Sequence, residues 1–397
     1  MKKRIIMSQQ EYNFSDIAPY EDSEFHSKME QLVKEPGFLH AVNYTMPPKD
    51  VPALIEELLK IDNKHDFQTQ VMFPFLEMLA KTTTSGITLG GVKYLNPSMS
   101  HTFITNHRDI VLDASFLNLA FLRRGYPTSE VAIGNNLLIY DWITDLVRLN
   151  KSFVVKRNTG LREGLEAAKK LSAYIHYCIL EKHESVWIAQ REGRAKDSSD
   201  HTQESLVKML ALGGQGPFVD KIKEINLMPV CISYEYDPND YLKAKEFLMK
   251  KRNPDFKKSQ RDDLFSMETG LLRFKGRVHF QLTPRINSKL DQLGDFKDNN
   301  VAAKHVGCLV DQAIHRSYEI FEINYVAFDL LHDSERFARK YTPEKKYEIV
   351  DYFNSQLDKI QLDDISSEER DFLWKTMLTM YANPLKNKLR SLLGGME

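Results

Sequence analysis

The sequence predicts an α/β fold: a mostly parallel central sheet flanked by helices, with helical additions at both ends. Two observations carry this. Between about residues 86 and 285, short β-rich runs alternate with longer amphipathic stretches, the pattern of strands joined by crossover helices. Before residue 86 and after residue 285, apolar residues recur at helical spacing without such runs. The expected division is a helical N-terminal region (1–85), an α/β domain (86–285) and a helical C-terminal region (286–397).

In the N-terminal region, Asp50 is placed to cap a helix in which Val51, Leu54, Ile55, Leu58 and Leu59 share one face. The most apolar stretch there, Val71 to Leu79, is expected either to pack in the core or to dip into a membrane surface. Candidate strands of the α/β part are Gly91–Leu95, Thr102–Thr105, Phe153–Lys156, Val186–Ala189, Met228–Ser233 and Arg277–Leu282. Between two of them, Leu161, Leu165, Ala168, Leu171, Ile175, Cys178 and Ile179 repeat with helical spacing. Residues 252–266, polar and containing Pro254, are expected to be a loop. His305 to Leu331 reads as one long amphipathic helix, and Pro343 precedes another.

Composition narrows the class. Lys and Arg number 54 against 55 Asp and Glu, and a nucleic-acid binder usually carries a basic surplus; no nucleic-acid partner is expected. Cys178, Cys231 and Cys308 are far apart in apolar segments with no CxxC pattern. That argues against zinc or redox chemistry and fits a reducing compartment. The basic start from Met1 to Met7 is cut short by polar residues and is too brief for a signal peptide. No apolar run of about 18 residues occurs. A lipid substrate would therefore be met from the bilayer surface, not from within it.

The chemistry concentrates at strand ends, where the active groups of such sheets gather. The run Phe103 to Thr105 leads straight into Asn106, His107, Arg108, Asp109 and, further on, Asp113. A His steered by a carboxylate is the usual general base for activating a hydroxyl. His107-Arg108-Asp109 also copies the start of a protein-kinase catalytic loop. The Asn required five residues after that Asp is Ala114 here, and the glycine loop and Asp-Phe-Gly are missing. A second apolar run, from Ser152, ends in Lys156-Arg157. A third, from Val186, ends in Gln190-Arg191-Glu192-Gly193-Arg194-Ala195-Lys196. Two strands ending in cations suggest an anion site on one sheet edge. The fourth segment, Leu227 to Pro238, is apolar in its first half, as a buried central strand would be.

In this order the four segments resemble the blocks of the glycerophospholipid acyltransferase family: His-x4-Asp, an Arg after an apolar strand, a Glu-Gly block, and an apolar Pro block. Met228-Pro229-Val230 with Ser233-Tyr234-Glu235, and then Gly276 to Phe280, are closest to the glycerol-3-phosphate acyltransferase branch. The resemblance covers roughly residues 86–285. Two departures stand out. Five residues, not four, separate His107 from Asp113, with Asp109 the other nearby carboxylate; and Arg194 follows Gly193 directly.

The resemblance implies a glycerolipid acyltransferase fold and transfer of a fatty acyl group from acyl-CoA or acyl-ACP to glycerol 3-phosphate, in phospholipid biosynthesis. His107 would be the base, oriented by Asp113 or Asp109, with Asp113 favoured. The implied substrate-binding set is Arg108, Lys156, Arg157, Glu192, Gly193, Arg194, Lys196 and Pro229. Arg194 or Lys196 would take the third block's cationic role. No metal and no cofactor beyond the acyl carrier are implied. The expected setting is peripheral, on the cytoplasmic side of a membrane. Lysophosphatidic acid or a hydroxylated amino-acid lipid as acceptor, and a non-catalytic lipid-binding relative, stand as alternatives.

Overall fold

A computed structural model describes residues 12–45, 51–157, 160–294 and 296–394. Its centre is a seven-stranded sheet: β1 (Gly86–Gly90), β2 (Thr102–Thr105), β3 (Glu130–Gly134), β4 (Ser152–Val155), β5 (Val186–Ala189), β6 (Leu227–Tyr234) and β7 (Arg277–Leu282). Their order across the sheet is β1-β7-β6-β2-β5-β3-β4. Every neighbouring pair is parallel except β6 with β7. Five strands therefore point one way, with β2 in their midst, and their carboxyl ends form a single edge.

The pleat sorts side chains between two buried faces. Phe103 of β2, Trp187 of β5 and Met228 of β6 pack on one face with Phe116, Leu117 and Phe121. Ile104, Ile188 and Leu227, one residue along, pack on the other face with Ile175, Val306 and Val310. The helical additions carry their own apolar clusters. At the N-terminal end, Phe25, Met29 and Phe67 close on Leu149 of the central part. At the C-terminal end, Phe353, Met377 and Tyr381 close on Tyr241 and Leu248. Among the described residues no helix is long and apolar enough to cross a membrane.

Several sequence expectations need correction. Gly91–Leu95 is not a strand: Gly91 sits at φ +73 and starts a short 3-10 turn, while the strand lies just before it as β1. A side chain at Gly91 would also meet the Leu282 carbonyl at 2.1 Å, so only glycine fits there. The expected loop 252–266 is half helix. Ser259 and Asp262 form a capping box that starts the helix Gln260–Leu272. The long stretch His305–Leu331 is two helices, Asn299–Arg316 and Glu322–Leu331. β3 went unread. The Asp50 cap falls outside the described residues, although the helix Val51–Leu58 is present.

Val71 to Leu79 belongs to a π-helical stretch, Phe67–Met72, running into the helix Phe73–Thr83. Pro74 explains the wide turn: it has no N–H to offer the carbonyl four residues back, and its ring crowds that carbonyl. Leu76, Leu79 and Ala80 are buried in the sheet core.

Candidate active site

β2 ends at a turn that is held from every side. The buried Asn106 amide accepts from Ile232 N (2.8 Å) and donates to Ile232 O (2.9 Å). It thereby pairs with β6 as a further strand residue would. His107 Nδ1 lies 2.8 Å from Asp113 Oδ2. A carboxylate only accepts, so Nδ1 carries the hydrogen and Nε2 is left as the basic nitrogen. Asp113 sits in the first turn of the helix Leu112–Leu122. The same Oδ2 accepts the backbone N–H of Arg108 (2.6 Å) and of Asp109 (3.1 Å), so one oxygen fixes both the imidazole and the turn beside it.

Asp109 does a different job. Its Oδ1 accepts from Val111 N (2.9 Å) and Leu112 N (2.8 Å), satisfying the free donors where the helix begins. Burial, and then the charge of Asp113, push its pKa up. Gly270 passes directly over it: a Cβ there would fall 2.0 Å from Asp109 Oδ2.

His107 opens onto a cavity of about 1700 Å³, beyond the roughly 300–1,000 Å³ of ordinary small-molecule pockets. The cavity follows the sheet face from the carboxyl edge, at His107 and Gly134, to the amino ends of β3 and β4, at Thr128 and Ser152. Its walls are mostly apolar and come from distant parts of the chain: Phe73, Leu119, Val131, Leu146 and Met267.

Lys156, Arg157, Glu192, Gly193, Arg194 and Lys196 all border this cavity with His107. The second and third segments meet there: Arg157 Nη1 is 3.4 Å from Glu192 Oε1. Gly193 takes φ +66, a conformation that favours glycine. Arg194 Nη1 is buried and has no hydrogen-bond partner among the described residues. The other two cations are engaged. Lys156 pairs with Asp16 at 2.6 Å. Lys196 pairs with Glu246, and burial outweighs that partner to lower its pKa.

Two expected binding residues point elsewhere. The buried Arg108 guanidinium turns away from the cavity to Asp200 and to the Tyr318 hydroxyl (3.3 Å). Burial works against its charge, but Asp200 prevails and its pKa rises. Pro229 is buried within the sheet, in register with Ile104, and its carbonyl accepts from Thr283. Both stabilise the framework and neither borders the cavity.

Sequence reading missed Trp187. Its ring meets the His107 ring edge-on, with centroids 5.9 Å apart at 69°. A large aromatic on β5, in register with Phe103 two residues before the end of β2, was the available signal. Tyr234, which the sequence placed in the fourth segment without a role, has a buried hydroxyl held well above the ordinary phenol range by burial and then by Asp113 and Asp109.

No family model matches this chain, and no curated protein matches it. Among solved structures, it is similar to a 1-acyl-sn-glycerophosphate (LPA) acyltransferase, PlsC, from Thermotoga maritima. The identity is 9%, the match covers 72% of this chain and 95% of that one, and the TM-score is 0.33. A likeness of that size does not bear on the chemistry.

Proposed function

We propose that this chain is an O-acyltransferase that moves a fatty acyl group from a thioester carrier, coenzyme A or acyl carrier protein, to glycerol 3-phosphate. The observation that carries the reading is the His107–Asp113 pair at the head of an apolar cavity with cations on its rim. The order of the four sequence segments supports it independently.

His107 Nε2 takes the proton of the acceptor hydroxyl while Asp113 steadies the imidazolium that forms. The hydroxyl oxygen bonds to the thioester carbon. The C–S bond then breaks, and the departing thiolate takes the proton back from His107. The acyl chain lies along the apolar walls. Arg157 and Arg194 receive the acceptor's phosphate, for which a guanidinium fork is suited. General base catalysis contributes about 10²–10⁴-fold, and holding both substrates in one cavity supplies much of the rest. The product, lysophosphatidic acid, is a membrane lipid, so the reaction would run with the protein resting on the cytoplasmic face of a membrane in phospholipid synthesis.

The test is acyl transfer by purified protein with radiolabelled glycerol 3-phosphate and palmitoyl-coenzyme A or palmitoyl-acyl carrier protein, beside His107→Ala. Labelled lysophosphatidic acid from the wild type alone is the expected result. Folded wild-type protein that transfers to neither glycerol 3-phosphate nor lysophosphatidic acid from either donor would sink the reading.

A further inference from the structure

The helix Gln260–Leu272 buries small residues and shows large apolar ones. Ser266, Thr269 and Gly270 are buried, while Phe265 is 48% and Leu272 38% exposed. Those two lie seven residues apart, on one stripe of the helix. A surface helix normally does the opposite, with its apolar stripe inward. The reason for the inversion is local. Gly270 lies so close over Asp109 that a Cβ there would fall 2.0 Å from Oδ2, so only a face of small residues can sit on the turn beside His107. The large residues are left to line the cavity, as Leu264, Met267 and Leu271 do, or to stand in solvent, as Phe265 does.

The outward stripe stands at the mouth of the cavity. Leu272, Tyr44 and Tyr140 each line the cavity and are exposed, so apolar and aromatic side chains rim the opening. Tyr44, on the helix Pro36–Thr45, donates to Glu268 Oε1 at 2.5 Å and ties the two lips together. The apolar surface thus continues from the cavity walls, over the rim, onto the outside of the helix Gln260–Leu272.

Charge favours one occupant. Lys257 and Arg261 are exposed where the helix starts, and Arg273 is exposed where it ends. The three acids of the helix are engaged: Asp262 in the capping box with Ser259, Asp263 with Lys258, and Glu268 with Tyr44. An apolar stripe bracketed by cations suits an anionic bilayer, where the apolar side chains enter the acyl boundary and the cations meet the phosphates. A bilayer is also the occupant whose apolar interior can continue into the cavity, so that a long chain passes between the two without crossing water.

We infer that the helix Gln260–Leu272, with Lys257 and Arg261, is the face that docks on an anionic lipid bilayer and seats the cavity mouth against the lipid. That the lipid passing there is acyl donor or product rests on the acyltransferase reading.

The experiment is flotation of the full chain with vesicles of phosphatidylglycerol mixed with phosphatidylcholine, and of phosphatidylcholine alone. Wild type is compared with Phe265→Ser, with Lys257→Gln/Arg261→Gln, and with Tyr347→Ser, which alters an exposed tyrosine on the distant helix Pro343–Leu357. Acyl transfer from octanoyl-coenzyme A to glycerol 3-phosphate is measured on each without vesicles. Wild type is expected to float with the anionic vesicles and far less with phosphatidylcholine alone. Phe265→Ser should weaken partitioning by about tenfold and the double variant by about 30-fold. Tyr347→Ser should bind as wild type, and transfer without vesicles should be the same in all four proteins. Absence of wild-type flotation would overturn the inference, as would wild-type binding in both patch variants or an equal loss in Tyr347→Ser. So would self-association in sedimentation that the patch variants abolish, which makes a second copy the occupant. Each of those results leaves the acyltransferase reading standing where wild type transfers the octanoyl group. Flotation with the expected losses, from a protein that transfers nothing, would keep the docking face and remove that reading.

Discussion

Lys243 donates to the carbonyl oxygen of Arg108, the residue after His107, at 3.1 Å. The same buried ammonium pairs with Asp237, and Tyr381 in the C-terminal helix Ser367–Leu392 accepts from Asp237 N at 2.9 Å. Burial lowers the Lys243 pKa, with Asp237 opposing. The C-terminal helices thus reach the turn that carries the base. Removing one member of a buried ion pair strands the other, at a cost of about 3–5 kcal/mol. Lys243→Met is expected to lower the unfolding free energy by that order in urea titrations. Tyr381→Phe, which strands the buried Asp237 N–H and removes a donor to Asp240 but leaves no unpaired charge, should lower it by less, about 1–3 kcal/mol.

Asp113→Asn and Asp109→Asn should separate cleanly in steady-state assays. Asn in place of Asp113 can no longer stabilise an imidazolium, so kcat should fall by about the full value of the base, 10²–10⁴-fold. Asn at 109 keeps an oxygen for the Val111 and Leu112 N–H groups. Burial already works against the charge there, so activity should change less than tenfold (about 1.4 kcal/mol). The reverse ranking would make Asp109 the partner of His107.

Asp240 gives a pH signature. Burial, and then Asp237, push its pKa up to about 7, against the hydroxyl donors Tyr352 (2.7 Å) and Tyr381 (2.8 Å). An unfolded Asp titrates near 3.9, so the folded pKa is the raised one. Its contribution to stability is complete below the unfolded pKa and is lost as pH rises toward about 7. Wild-type stability relative to Asp240→Asn should therefore fall between about pH 4 and pH 7 and level off above. Urea midpoints measured across that range check it; a difference that does not move with pH would be the contrary result.

Val131 tests the chain-holding role of the cavity, since it lines the end near the amino edge of the sheet. Val131→Phe shortens the space along the strand. Overpacking of this kind costs about 1–3 kcal/mol, here falling on the longest occupants. Relative kcat/KM for long-chain over short-chain donors should drop about 10- to 100-fold by that energy. An unchanged chain-length profile would place the acyl chain elsewhere.

The site was readable where a strand ran directly into its chemistry. β2 into Asn106 and His107, β4 into Arg157 and β5 into Arg194 each show an apolar run ending in polar groups. That pattern follows from a parallel sheet with one active edge. What decided between Asp109 and Asp113 was helix geometry: only Asp113 projects back from the first turn to the imidazole. β3 was hidden because it begins with the charged Glu130 and ends in Gly134, which breaks the apolar run that marked the other strands. That charge is tolerated in burial only because the Tyr174 hydroxyl and Lys182 reach it from the following helical segments. The cavity walls were hidden for a related reason. Phe73, Leu146 and Met267 read as ordinary core residues, and only tertiary packing leaves a space between them.

The sheet order has a consequence for how the chain reaches this state. β1 is an edge strand whose partner is β7, and the two register from Gly86 with Arg277 to Gly90 with Gln281. A ribosome finishes Gly86–Gly90 long before it delivers the strand that will cover it. Pairing across such a separation is slow, and the waiting strand presents open backbone to its surroundings. A glycine at each end of its five residues confines the strand-forming part of β1 to Ile87, Thr88 and Leu89, which keeps it a short template for a wrong partner during that wait.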